Sequence, residues 1–92
     1  MIKVESIEQI KGIYDNTNID LDRYTIEVST AMATKEYSVV VDFLNEEVTG
    51  DCIAYGLWTD IEIENCIELL EFVSDRNQPK RDFKHIIEKL GY

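Results

Sequence analysis

Between Glu36 and Asp75 the chain contains no lysine and no arginine. Elsewhere it is short of most residues that carry chemistry or staple small folds: histidine and proline occur once each, cysteine twice, in 92 residues. Two cysteines make no disulfide framework, and with no secretion signal Cys52 and Cys66 read as free thiols in a reducing compartment. No apolar run approaches the roughly 20 residues that span a bilayer, and Met1 to Glu5 lacks the apolar region of a signal peptide. A cytoplasmic protein is the expectation. No glycine-rich phosphate loop, paired-cysteine zinc spacing or nucleophile elbow is present.

What the chain has is acid. The lysine- and arginine-free stretch holds Glu36, Asp42, Glu46, Glu47, Asp51, Asp60, Glu62, Glu64, Glu68, Glu71 and Asp75. The segment charges are −2 for residues 1–35, −11 for 36–75 and +3 for 76–92, within a net −10. Such a charge repels nucleic acid and anionic membranes and attracts basic surfaces. Ninety-two residues suffice for one domain with a single small core, and a hydrophobic fraction of 45% is that of a globular protein.

Local patterns predict an α+β domain over residues 1–92. Ser6-Ile7-Glu8-Gln9 has the form of a capping box, and Ile7, Ile10, Ile13 and Tyr14 follow at helical spacing, which predicts a helix over Ser6 to Tyr14. Asp15-Asn16-Thr17-Asn18 would stop it. Tyr24, Ile26, Val28, Thr30 and Met32 then share one face of a strand, and Tyr37, Val39, Val41 and Phe43 one face of the next. A third strand is expected over Val48 to Trp58, with Gly50 and Gly56 marking a bulge or a close approach. Thr59-Asp60-Ile61-Glu62 is a second capping box that opens a helix over Asp60 to Asp75. Pro79 suits the first turn of a last helix, with Phe83, Ile86, Ile87 and Leu90 on its apolar face and Gly91 after it. The expected order is α-β-β-β-α-α, a three-stranded antiparallel meander with helices packed on one face.

On the 60–75 helix, Ile63, Cys66, Ile67, Leu70 and Val73 fall within a band of about 120°. Glu64, Glu68, Glu71 and Asp75 recur at i, i+4, i+7 and i+11, within about 60° on the far side. Like charges at that spacing repel, no lysine relieves them, and Asp75 sits at the unfavourable end of the helix dipole. A solvated helix face explains the pattern in part. A basic partner explains why no lysine is interleaved. Asp60 and the acidic turn residues Glu46, Glu47 and Asp51 are candidates to extend that surface, with Phe72 as an aromatic anchor at its edge, the alternative for Phe72 being packing under the strands.

Other chemistries fit poorly. His85 lies among Lys80, Arg81 and Lys84, while Cys66 belongs to the core band and Cys52 to a strand, so a thiol–imidazole pair is not expected. Asn16, Asn18, Asp20 and Asp22, with Glu27 at the twelfth position, imitate a calcium loop. Position 1 is Asn, however, and Leu21 stands where glycine is needed. The α-β-β-β-α order is that of double-stranded RNA-binding domains, but a helix beginning Asp60-Ile61-Glu62-Ile63-Glu64 has the wrong charge for phosphates. Neither an enzyme nor a cofactor- or metal-binding protein is expected.

In element order and acidity the chain resembles small phage anti-CRISPR proteins that inhibit Cas9, some with an α-β-β-β-α-α layout and a strongly acidic surface. The resemblance spans the whole chain and rests on no sequence motif. It implies a DNA mimic acting in the host cytoplasm, whose carboxylates occupy a basic groove and block nucleic-acid binding. Two other expectations stand beside it: an immunity protein that neutralises a basic bacterial toxin, and a structural domain that forms a homodimer or larger homo-oligomer.

Overall fold

The computed structural model describes residues 1–92. The chain runs β1 (Ile2–Tyr14), β2 (Thr17–Ser29), β3 (Thr34–Asp42), β4 (Glu47–Ala54), β5 (Leu57–Asp60), α1 (Ile63–Asp75) and α2 (Lys84–Lys89). The five strands form one antiparallel sheet in the order β1-β2-β3-β4-β5, so every strand pairs with its neighbour in sequence. Both helices cover one face of that sheet. Their buried residues Cys66, Ile67, Leu69, Leu70, Val73, Ile86 and Ile87 share a core with Tyr24, Ile26, Val39, Val41 and Val48.

The expected α-β-β-β-α-α order is therefore corrected to five strands followed by two helices. The predicted helix over Ser6–Tyr14 is the second part of β1. Two features hid it. The register shifts between Val4 and Ser6, so Val4, opposite Ile26, and Ile7, opposite Tyr24, share the core face although three apart, while in the regular pairing beyond it Ile10, opposite Leu21, lies on the other face. A bulge of this kind breaks the two-residue period by which a strand is read. Asp15 and Asn16 then both adopt positive φ, 48° and 62°, between the paired residues Tyr14 and Thr17. That is a two-residue primed turn, which returns the chain as a hairpin where a helix stop was expected.

The expected third strand is divided in the same way. Tyr55 (φ 53°) and Gly56 (φ 79°) make a second tight turn, and β5 returns along β4. Thr59 and Asp60 thus belong to a strand and not to a capping box. α1 starts three residues later than predicted, with Glu62 at its N-cap and no side-chain cap bond. Pro79 lies in the extended connection before α2, which begins only at Lys84, where Asp82 accepts a hydrogen bond from the Lys84 N–H at 2.9 Å. Met32, expected on the core face, is exposed in the β2–β3 turn.

Gly50 shows where close approach is required. A Cβ there would lie 2.6 Å from Cys66 Sγ and 3.1 Å from Ile61, so only glycine lets α1 come down onto β4. Both helices end on a left-handed residue. At Asn77 and at Gly91 the backbone N–H bonds back to Ser74 and Glu88, and the next residue bonds to Val73 and Ile87. These paired bonds satisfy the last carbonyls of each helix.

One charged side chain is wholly enclosed. Asp22, 0% exposed, accepts Arg81 Nη2 at 2.8 Å and Nε at 3.3 Å, and Arg81 also reaches Asp20 at 2.8 Å. The guanidinium lies 3.8 Å from the Phe43 ring centre. This pairing ties the segment before α2 to β2. The bond to Asp22 first, and that to Asp20 after it, raise the Arg81 pKa further.

Candidate acidic binding surfaces

α1 buries Cys66, Ile67, Leu69, Leu70 and Val73 against the sheet, which turns Glu64, Glu68, Glu71 and Asp75 to solvent. The stripe read from sequence exists as a line of exposed carboxylates. One of them has a partner: the Tyr92 hydroxyl donates to Glu64 at 3.0 Å and fixes the chain end against α1.

The sheet's other face carries no helix, and there the register assembles a second acidic surface. Successive cross-strand rows read Glu8–Arg23–Val40–Thr49, then Ser6–Thr25–Ser38–Asp51–Asp60, then Lys3–Glu27–Glu36–Ile53–Trp58. Small side chains at Thr25, Ser38 and Val40 leave a shallow depression of about 390 Å³, rimmed by Glu8, Arg23, Glu36, Asp51 and Trp58. Trp58 is 53% exposed. The basic residues on this face are few, and Arg23 is turned to Glu8 at 3.8 Å.

Like charges meet on this face. Asp51 stands directly opposite Asp60, and hydrogen bonding to the Asp60 carboxyl, aided by partial burial and by its charge, raises the Asp51 pKa. At the β1 bulge the Glu27 carboxyl does the same to Glu5, with the charge of Glu36 adding to it. Glu27 is held low in return, by Glu5 first and by the Ser29 hydroxyl at 3.1 Å second. Carboxylates placed face to face across a sheet destabilise it.

The candidate residues therefore divide among several places. Glu64, Glu68, Glu71 and Asp75 lie on the helix side, and Asp51, Asp60 and Glu47 on the open sheet face. One flat partner cannot touch both. Glu46 joins neither set: it pairs with Lys89 of α2 at 2.8 Å, which lowers its pKa. Phe72 is half-buried near the start of β1, with the Arg76 guanidinium 4.3 Å from its ring centre. Asp42 is engaged in its own turn, accepting the Leu44 and Asn45 N–H groups and the Asn45 side chain. Partial burial opposes these bonds, yet its pKa is lowered.

The calcium-loop imitation is a hairpin whose Asp20 and Asp22 face Arg81. Cys52 and Cys66 are buried, His85 is exposed beside Phe43, and burial pushes the Cys66 thiol up. No three His, Cys, Asp or Glu side chains converge as metal ligands. No helix is long and apolar enough to cross a membrane.

No family model matches the chain, and no curated protein or solved structure matches it. The layout on which the resemblance to Cas9 inhibitors partly rested is replaced by the five-stranded order. The acidity on which it also rested now has a location on two faces.

Proposed function

We propose that this is a stoichiometric acidic inhibitor that binds the basic surface of a nucleic-acid-binding protein through the open sheet face and excludes the nucleic acid. The observation that carries the reading is the set Glu8, Glu27, Glu36, Asp51 and Asp60 arrayed around an exposed Trp58. Arg23 stands opposite Glu8 and Lys3 opposite Glu27, but Glu36, Asp51 and Asp60 face no base, where a surface selected for stability alone would supply one. Here two pairs of carboxylates are held together at an energetic cost that a cationic partner would remove. Tryptophan at the margin of a charged, flat patch is the residue type that most often anchors a protein interface. The α1 stripe is a second acidic surface on the opposite side, available to a groove that closes around the molecule. Chemistry at this face is not proposed: its carboxylates and hydroxyls, set among Arg23, Lys3 and Trp58, form no nucleophile–base pair.

The test separates the two faces. Open-face (Glu36→Gln, Asp51→Asn, Asp60→Asn) and helix (Glu64→Gln, Glu68→Gln, Glu71→Gln, Asp75→Asn) variants are titrated by calorimetry against guide-loaded Cas9-type nuclease and a basic toxin nuclease. The open-face variant is expected to lose at least tenfold in affinity with unchanged circular dichroism, and the helix variant less. Equal affinity of all three proteins would overturn the reading. An immunity protein would use the same face, and binding to the toxin alone would identify that alternative.

A further inference from the structure

The outer edge of β1 has no strand beside it, and it is long. β1 and β2 have 13 residues each, whereas β3 ends at Asp42, opposite Leu21. Beyond that point Lys11–Tyr14 and Thr17–Asp20 continue as a two-stranded ribbon that leaves Ile13 76% and Tyr14 68% exposed. An isolated two-stranded ribbon is marginal in water, and a third strand is what makes one stable. Unprotected edges are normally shielded by proline, bulges or inward charges. β1 has a bulge, between Val4 and Ser6, whereas from Ser6 to Tyr14 it has no proline or further bulge and only Glu8 and Lys11 as charges, both of which the pairing below accommodates.

Backbone directions on this edge follow from the hairpin. The pair Tyr14–Thr17 flanks a two-residue turn and exchanges hydrogen bonds, so alternate residues going back along β1 point inward and outward. The Asp20 carbonyl confirms the phase: it accepts the Phe43 N–H at 2.9 Å on the β3 side, so its partner Lys11 turns N–H and C=O to the free edge. Ile7, Gln9, Lys11 and Ile13 are therefore the residues with unused backbone groups.

We propose that this edge pairs antiparallel with the same edge of a second copy, about a twofold axis through an Ile10–Ile10 pair. Two five-stranded sheets then become one continuous sheet of ten. In this register Ile7 meets Ile13 and Gln9 meets Lys11, twice each, so all four outward residues of both copies form hydrogen-bonded pairs. Ile10 meets itself in the non-hydrogen-bonded pair between them. Charge selects this register over its neighbours. Displacing it by two residues one way sets Lys11 against Lys11, and the other way draws the edge toward the bulge and leaves Ile13 beyond the post-bulge pairs. In the proposed register Glu8 meets Gly12, and from Ser6 to Tyr14 no like charges stand directly opposite. The ribbon of each copy gains the partner's β1 as its third strand. The axis is perpendicular to the sheet, so both open faces lie on the same side. The contact does not depend on what those faces bind.

Sedimentation equilibrium and a cysteine scan test it together. The wild-type chain is expected at twice its 10.7 kDa. Gln9→Glu, which sets two carboxylates against Lys11, is expected to tighten the dimer several-fold, and Gln9→Lys to weaken it similarly. Ile10→Cys places two thiols at a pair whose Cα atoms are about 4.5 Å apart, within the range that a disulfide bridges. It is expected to cross-link on mild oxidation, whereas Gln9→Cys, which would face Lys11, is not. Cys52 and Cys66 are buried and leave the assay clean. A monomer at every concentration would overturn the proposal, and so would a dimer that Ile10→Cys does not cross-link or that Gln9→Cys cross-links equally.

Discussion

Asp22 and Arg81 stand 59 positions apart in sequence, and their contact holds the one fully enclosed charged side chain in the molecule, Asp22. A carboxylate taken out of water loses several kcal/mol of hydration, and only a well-aligned cation with its own hydrogen bonds offsets that. Arg81 meets the condition with two bonds to Asp22, one contact to Asp20 and a stacked Phe43 ring. Removing the cation leaves the acid buried and uncompensated. Arg81→Met is expected to lower stability by about 3–5 kcal/mol in urea denaturation. Asp22→Leu in the Arg81→Met background is expected to recover much of it, because an apolar pair of similar volume carries no desolvation penalty. A single Arg81→Met variant as stable as wild type would show that water reaches Asp22. Nearby, the Tyr24 hydroxyl is buried without a hydrogen-bond partner, and burial first, then the Asp22 charge, raises its pKa. None of this was legible in the sequence, where Asp20 and Asp22 read as part of a failed calcium loop; their partner comes from a segment that no local pattern links to them.

Among the elements, the sheet sets how stability responds to pH. Protonation of Asp51 and Glu5 is favoured by folding, because their pKa values are raised by Asp60 and Glu27. Their contribution is fully present below the unfolded carboxylate pKa of about 4 and is lost as pH rises through the higher folded values. Glu27, Asp42 and Glu46 are lowered, so their contribution is present above the unfolded pKa and is lost as pH falls through the lower folded values. The melting temperature is expected to rise as pH drops from 7 toward 5 and to fall below about pH 4. Asp51→Asn is expected to raise it at pH 7 and flatten the upper limb; a decrease at pH 7 would contradict the cross-strand account. Of the helices α1 was the readable one: its apolar band and its acidic far side stand where periodicity put them. The strands β2 to β4 were readable in part, from the alternation at Tyr24 and Ile26 and at Val39 and Val41. β1 was not, since Ile7, Ile10, Ile13 and Tyr14 follow one another at helical spacing while they alternate between the two faces of a regular strand. The Tyr55-Gly56 turn was hidden because tyrosine seldom takes a positive φ.

Over the whole molecule, the charge divides between two sides of a thin body of 44 × 28 × 22 Å. The sequence foretold the quantity of acid and the α1 stripe, but not the open face. Glu8, Glu27, Glu36, Asp51 and Asp60 come from five different strands, and only strand order and register bring them together. Edge pairing through β1 would set two such faces side by side, doubling the area offered to a basic partner. The most direct test is competition: fluorescence anisotropy of labelled duplex DNA bound to guide-loaded Cas9-type nuclease, a bacterial DNA-compacting protein and a basic toxin nuclease, titrated with this protein. Stoichiometric displacement from at least one of them is expected at low salt, weakening as added salt shortens the screening length from about 10 Å at 0.1 M to about 3 Å at 1 M. Trp58→Ala is expected to cost at least about 30-fold, the loss typical of a hot-spot residue. Failure to displace DNA from any of the three, or displacement that neither salt nor Trp58→Ala alters, would contradict inhibition through the open face.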